Sequence, residues 1–181
     1  MRSNLVPMSF LAPNSDPGSD RPRDTGATTG ATPGATPGAT PAAADICRGV
    51  GRLLRAHGLA SLPEVPLANG RRADLVAIAT DGEIWIAEIK SSLEDFRSDN
   101  KWPEYRAFCD RLFFAVAPAF PRDVLPADTG LVVADRYGGE IVREAPQHRL
   151  AGARRKAMTL RLVHAAALRL QSVLDPEDGL A

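Results

Sequence analysis

Cysteine is scarce. Cys47 and Cys109 are the only two in 181 residues, too few to cross-brace a small secreted domain. There is no CxxC pair, and His57, His148 and His164 stand far apart, which argues against a structural zinc site. Net charge is missing too: 22 Lys and Arg balance 22 Asp and Glu. That excludes a strongly basic nucleic-acid coat and an acidic tail protein, but not a local basic groove. No run of 18 apolar residues occurs, so no membrane span is expected. The short apolar patch Leu5 to Leu11 is interrupted by Pro7 and bounded by Pro13, a poor signal peptide. These features point to a reduced, cytoplasmic protein. What is present is an ordinary globular composition, 44% apolar and 24% charged, in a length that suits one domain.

The chain divides in two by composition. Gly26 to Pro41 is built almost wholly of Gly, Ala, Thr and Pro, side chains that cannot offset the entropy of ordering them. Residues 1–44 therefore read as a disordered tail, and residues 45–181 as the folded domain. Within that domain, Asp45 is placed to cap a helix running to about His57, with Ile46, Val50, Leu53 and Leu54 on one face and Gly58 as its stop. Leu62 to Leu67 reads as an irregular edge strand because of Pro63 and Pro66. Arg72 to Ala79 and Glu83 to Lys90 read as two strands. Ser91 or Ser92, with Glu94 or Asp95, signals a short helix, and Pro103 opens a second. Leu112 to Ala117 is an apolar strand, Leu131 to Ala134 and Glu140 to Glu144 a hairpin, and Gly152 to about Leu174 a long helix. The order predicts an α/β fold, a mixed sheet with helices packed on it.

The second and third strands carry the chemistry. Period two places Ile84, Ile86, Glu88 and Lys90 on one face and Trp85, Ala87 and Ile89 on the other. Both faces are apolar before Glu88, so the strand is expected to be buried on both sides. Charges at its end are then costly unless paired, metal-bound or solvated in a cleft. A two-residue turn at Asp81-Gly82 would set Asp74 opposite Ile89. A three-residue turn, Thr80-Asp81-Gly82, would set it opposite Glu88, with Val76 opposite Ile86 and Ile78 opposite Ile84. The longer turn needs a left-handed residue at its last position, which Gly82 supplies, and it is preferred. Two carboxylates and a lysine then converge. With the carbonyl of Ile89 and water, Asp74 and Glu88 would suit Mg²⁺ or Mn²⁺, and Lys90 would position a water or stabilise developing charge. The competing reading is a salt-bridge cluster at a strand end.

Ala73-Asp74 followed by Glu88-Ile89-Lys90 resembles the PD-(D/E)XK nuclease superfamily, whose core is αβββαβ. More closely, Gly70 to Asp74, Glu88 to Ser92, Asp95-Phe96-Arg97, Lys101 to Tyr105, Cys109-Asp110-Arg111 and Ala153 to Lys156 resemble the MmcB-like DNA-repair family of bacteria. The similarity covers roughly residues 45–172, and the run from Lys101 to Arg111 is its most distinctive part. It implies a restriction-endonuclease-like core and a role in DNA repair linked to crosslinking damage. Asp74 and Glu88 would be metal ligands and Lys90 the catalytic lysine of a Mg²⁺-dependent deoxyribonuclease. The alternative is a weakly active or inactive module that binds DNA or docks into a repair complex. Lys101 and Tyr105 stand where related nucleases carry Gln-x-x-x-Tyr, with Lys in place of Gln. Ala73 replaces the motif's Pro. No Glu lies on the first helix, and Glu64 is the nearest substitute.

Other residues admit two readings. Arg71 and Arg72 abut the expected site and would clamp a DNA backbone or pair with Glu64. Arg154, Arg155 and Lys156 are expected to line a basic groove. Arg154, Arg161 and Arg169 share a stripe of the last helix, either as phosphate contacts or as a solvated face. Trp102 and Tyr105 would stack a base or pack in the core.

Overall fold

A computed structural model describes residues 41–176. The expected tail up to residue 40 lies outside the described residues. Its last four positions do not belong to a tail: helix α1 runs Pro41–Ala56, starting at a proline, which suits a first helical turn because it has no N–H to leave unpaired. Ile46, Val50 and Leu54 recur every four residues and are buried. Gly58, at φ +78°, lets the chain turn out of the helix.

Six strands follow: β1 (Ala60–Pro66), β2 (Arg72–Ile78), β3 (Ile84–Lys90), β4 (Arg111–Val116), β5 (Gly130–Ala134) and β6 (Gly139–Arg143). They lie side by side in chain order. β1, β2 and β3 are antiparallel, β3, β4 and β5 parallel, and β6 antiparallel to β5. The proline-bearing β1 is an edge, as a strand short of donors must be. Between β3 and β4 come helix α2 (Leu93–Ser98) and a 3-10 helix, Trp102–Ala107. Ser92 caps α2 by accepting from the Asp95 N–H at 3.1 Å, and Asp95 reaches back to the Ser91 N–H. Pro103 falls within the first turn of the 3-10 helix rather than opening an α-helix. The chain closes with α3 (Gly152–Leu174). The arrangement is a mixed sheet flanked by helices, with the αβββαβ order of a restriction-endonuclease-like core.

The β2–β3 hairpin has the three-residue turn. Val76 pairs with Ile86 and Ile78 with Ile84, and Gly82 takes φ +84°. β3 is buried on both faces. Trp85, Ala87 and Ile89 pack with α1, and Ile84 and Ile86 pack with Met158 and Leu162 of α3 and Tyr105 of the 3-10 helix. α1 also rides against the turn joining β5 and β6. A Cβ on Gly49 would collide with the carbonyl oxygens of Asp135 and Gly138, and Arg52 donates to the carbonyls of Arg136 and Tyr137 at 2.9 and 3.1 Å. Because β3, β4 and β5 are parallel, their C-terminal ends share one end of the sheet, opposite the Thr80–Gly82 turn.

Candidate functional site

At that shared end, the hairpin register brings Asp74 of β2 against Glu88 of β3. Each side chain reaches across to the other's strand: the Asp74 N–H donates to Glu88 Oε1 at 3.3 Å, and the Ile89 N–H donates to Asp74 Oδ2 at 2.8 Å. Glu88 and Lys90 are buried, at 3% and 4% exposure. Lys90 Nζ turns to Asp99, just beyond α2, and donates to its Oδ2 at 2.6 Å. Tyr105 is buried beside the cluster, its hydroxyl donating to the carbonyl of Arg72 at 3.2 Å.

The electrostatics follow from this packing. Burial pushes the Asp74 carboxyl up; the Ile89 N–H and Lys90 pull the other way without prevailing, and Glu64 and Asp95 add repulsion. Burial and the neighbouring Asp74 raise Glu88 well above the ordinary carboxylate range, with Lys90 opposing. Burial alone would lower Lys90, but its hydrogen bond and attraction to Asp99 outweigh it, so the ammonium is held charged. For Asp99 burial pushes up, and the hydrogen bonds from Lys90 and the Lys101 N–H bring it below its usual value. The cluster thus holds one firm ion pair, Lys90–Asp99, beside two carboxylates that resist being ionised together.

Of the residues singled out in the sequence, Asp74, Glu88, Ile89, Lys90 and Tyr105 come together here. Tyr105 presents no open ring for a base, and Trp102 packs edge-on against Phe114 at 5.5 Å between centroids. Lys101 is exposed, and its backbone N–H donates to Asp99 Oδ1 at 2.8 Å. Glu64, at φ 51°, is paired with Arg72. Arg71 makes a two-pronged pair with Glu104, at 2.7 and 3.1 Å. Both arginines next to the site are therefore bound to acids of this chain.

Arg154, Arg155 and Lys156 do not join the cluster. Arg155 bonds the carbonyl of Gly82 and both oxygens of Asp110. It sits at the turn end of the hairpin, about 20 Å from Lys90 at 3.3 Å per strand residue. Arg154 and Lys156 are exposed beside it on α3. Farther along α3, Arg161 and Arg169 donate to backbone carbonyls of β1, so two of that three-arginine stripe are bound to the sheet edge.

Asp99 is the residue that sequence reasoning missed. The available signal was an acid directly after a short helix, nine residues past a lysine expected to be buried and in want of a partner.

A divalent cation is a poor fit to these donors. Mg²⁺ and Mn²⁺ seek hard, ionised oxygens, usually with more than one carboxylate. Here one oxygen of each acid accepts a backbone N–H, and Asp99 faces Lys90. Among the described residues, no three His, Cys, Asp or Glu side chains stand together to hold an ion. Among the same residues, no helix is long and apolar enough to cross a membrane.

Residues 32–177 match the model of a family described as "DNA repair protein MmcB-like". A similar solved structure is the SPO1766 protein of unknown function from Silicibacter pomeroyi. It is 47% identical, with a TM-score of 0.75, over 77% of this chain and 95% of that one. No curated protein matches.

Proposed function

Because the chain belongs to the MmcB-like family of DNA-repair proteins, we propose that it is a DNA-binding repair module that uses a nuclease-like fold to dock rather than to cut. The observation that carries this reading is the state of the cluster. Lys90 is locked to Asp99 at 2.6 Å, Glu88 accepts from the Asp74 N–H, and Asp74 accepts from the Ile89 N–H. A lysine and acids whose polar atoms are taken up within the chain offer little to a phosphate. DNA would meet exposed cations such as Lys101 and, on α1, Arg52; Arg48, Arg71 and Arg72 could join them only by leaving their acids. Such a module works in the cytoplasm of a bacterial cell, beside the repair-complex proteins that supply catalysis.

The second reading is metal-dependent hydrolysis of DNA with Mg²⁺ or Mn²⁺, in which Asp74, Glu88 and Lys90 would be the catalytic set. The convergence of two acids and a lysine at the end of a buried strand favours it. One experiment separates the two. The protein and its Lys90→Ala variant are mixed with single-stranded, duplex and branched DNA, with Mg²⁺, Mn²⁺ or chelator. Binding by fluorescence anisotropy that persists in chelator, with no cleavage under either ion, is the expected result. Metal-dependent cutting that disappears in the variant would overturn the docking reading in favour of the nuclease.

A further inference from the structure

Helix α3 has two apolar stripes, and among the described residues only one of them is covered. Arg155, Met158, Leu162, Ala165 and Arg169, spaced by three and four residues, face the sheet: Met158 and Leu162 are buried in the core, and both arginines bond to it. A second series with the same spacing, Leu160, Val163, Ala167, Leu170 and Leu174, lies on the solvent side. Its large members are 60%, 61%, 58% and 75% exposed. Five residues separate the two series, so they point about 140° apart on the helix. A single exposed leucine needs no explanation, but a row of apolar residues at heptad spacing along one side of a 23-residue helix is the pattern of a helix–helix seam.

We propose that this face is a dimer interface, in which α3 packs antiparallel against α3 of a second copy of the chain. A two-fold axis makes one patch its own partner, and the antiparallel sense follows from the distribution of size and charge along the seam. With the axis between positions 163 and 167, Leu160 meets Leu170 and Val163 meets Ala167. The small side chains of Ala166 and Ala167 then sit where the helices pass closest, which lets the axes approach. The next layer sets Leu174 against the methylene stem of Lys156, whose ammonium arrives beside Asp175. Arg154 and Lys156 are exposed at the first turns of α3, Asp175 is exposed at its end, and the sequence continues with Glu177 and Asp178. Antiparallel packing therefore places the basic start of each helix against the acidic end of its partner. A parallel pair would put like charges together at both ends.

The full chain is weighed by sedimentation equilibrium from low to high micromolar concentration, beside Leu170→Lys and Leu160→Lys. A wild-type dimer whose dissociation constant rises at least about tenfold in either variant, with helical circular dichroism retained, is the expected result. A wild-type monomer at every concentration overturns the proposal, as does a dimer indifferent to both substitutions. Orientation is read by disulfide trapping, which does not depend on either lysine variant folding. A mixture of Leu160→Cys and Leu170→Cys chains should cross-link, whereas Leu160→Cys alone should give no more dimer than wild type, whose Cys47 and Cys109 are the control. Efficient self-linking of Leu160→Cys would mean a parallel pair and would overturn the geometry.

Discussion

The two ends of the β2–β3 hairpin treat buried carboxylates in opposite ways. At the turn end, Asp110 is fully buried and both its oxygens are occupied. Oδ1 accepts from the Leu150 N–H and Arg155, Oδ2 from the Ile84 N–H and Arg155, all at 2.7 to 2.9 Å. Burial pushes Asp110 up, but the Arg155 hydrogen bonds and the two backbone N–H groups hold it below the ordinary range. At the other end Glu88 is nearly as buried, yet it accepts one backbone N–H at 3.3 Å, the charge that acts on it most is another acid, and Lys90 is committed to Asp99. Burial is common to both; what differs is whether positive partners come with it. The first acid is a structural rivet joining β3, β4 and α3, and the second is a local weakness that the rest of the fold sustains.

The comparison is easiest to break at the rivet. Asp110→Ala leaves a partly buried guanidinium and two N–H groups without their acceptor, and should cost about 3–5 kcal/mol of unfolding free energy, read by urea titration. Because the folded acid titrates below its unfolded value, its contribution is complete above the unfolded pKa of about 3.9 and is lost as the pH falls through the folded one. The difference between wild type and Asp110→Ala should therefore shrink in strong acid.

The next effect is at Lys90. Lys90→Ala strands Asp99 and takes a positive charge away from Asp74 and Glu88, and should cost about 3 kcal/mol. Lys90→Met with Asp99→Leu removes both charges together and should lose about 1 kcal/mol or less. A large loss in the double variant would show that the pair does more than satisfy itself.

The smallest effect has the opposite sign. Glu88 has a raised folded pKa, so its favourable contribution is present in acid and is lost as the pH rises through that value. Glu88→Gln keeps the acceptor and removes the buried charge. It should raise stability at neutral pH by on the order of 1 kcal/mol, with the gain fading towards pH 4, as followed by thermal melts.

The sequence discloses these regions unevenly, for physical reasons. The hairpin register was legible because Gly82 restricts the turn and apolar pairing excludes a one-residue slip, so the approach of Asp74 to Glu88 followed. The edge position of β1 was legible from Pro63 and Pro66, and α3 from its uninterrupted Ala, Leu and Arg. Partnership across the chain was not. Nothing local distinguishes Arg155, which binds Asp110 45 residues away, from Arg154 beside it, which is exposed. Pro41 reads as tail because it continues the composition of the Gly-Ala-Thr-Pro tract, although a proline also suits a helix start. The 3-10 helix at Trp102 was expected as α because the same prolyl signal begins both.

The tight seat of α1 on the β5–β6 turn bears on the order of synthesis. Gly49 and Arg52 meet these partners at residues 135–138, so α1 is made well before the turn that encloses it. For the roughly eighty residues in between, on the order of ten seconds at ordinary elongation rates, Ile46, Val50 and Leu54 have no complete sheet to cover them. A helix made early, with its receptor made late, keeps an apolar face waiting for the rest of the fold throughout that interval.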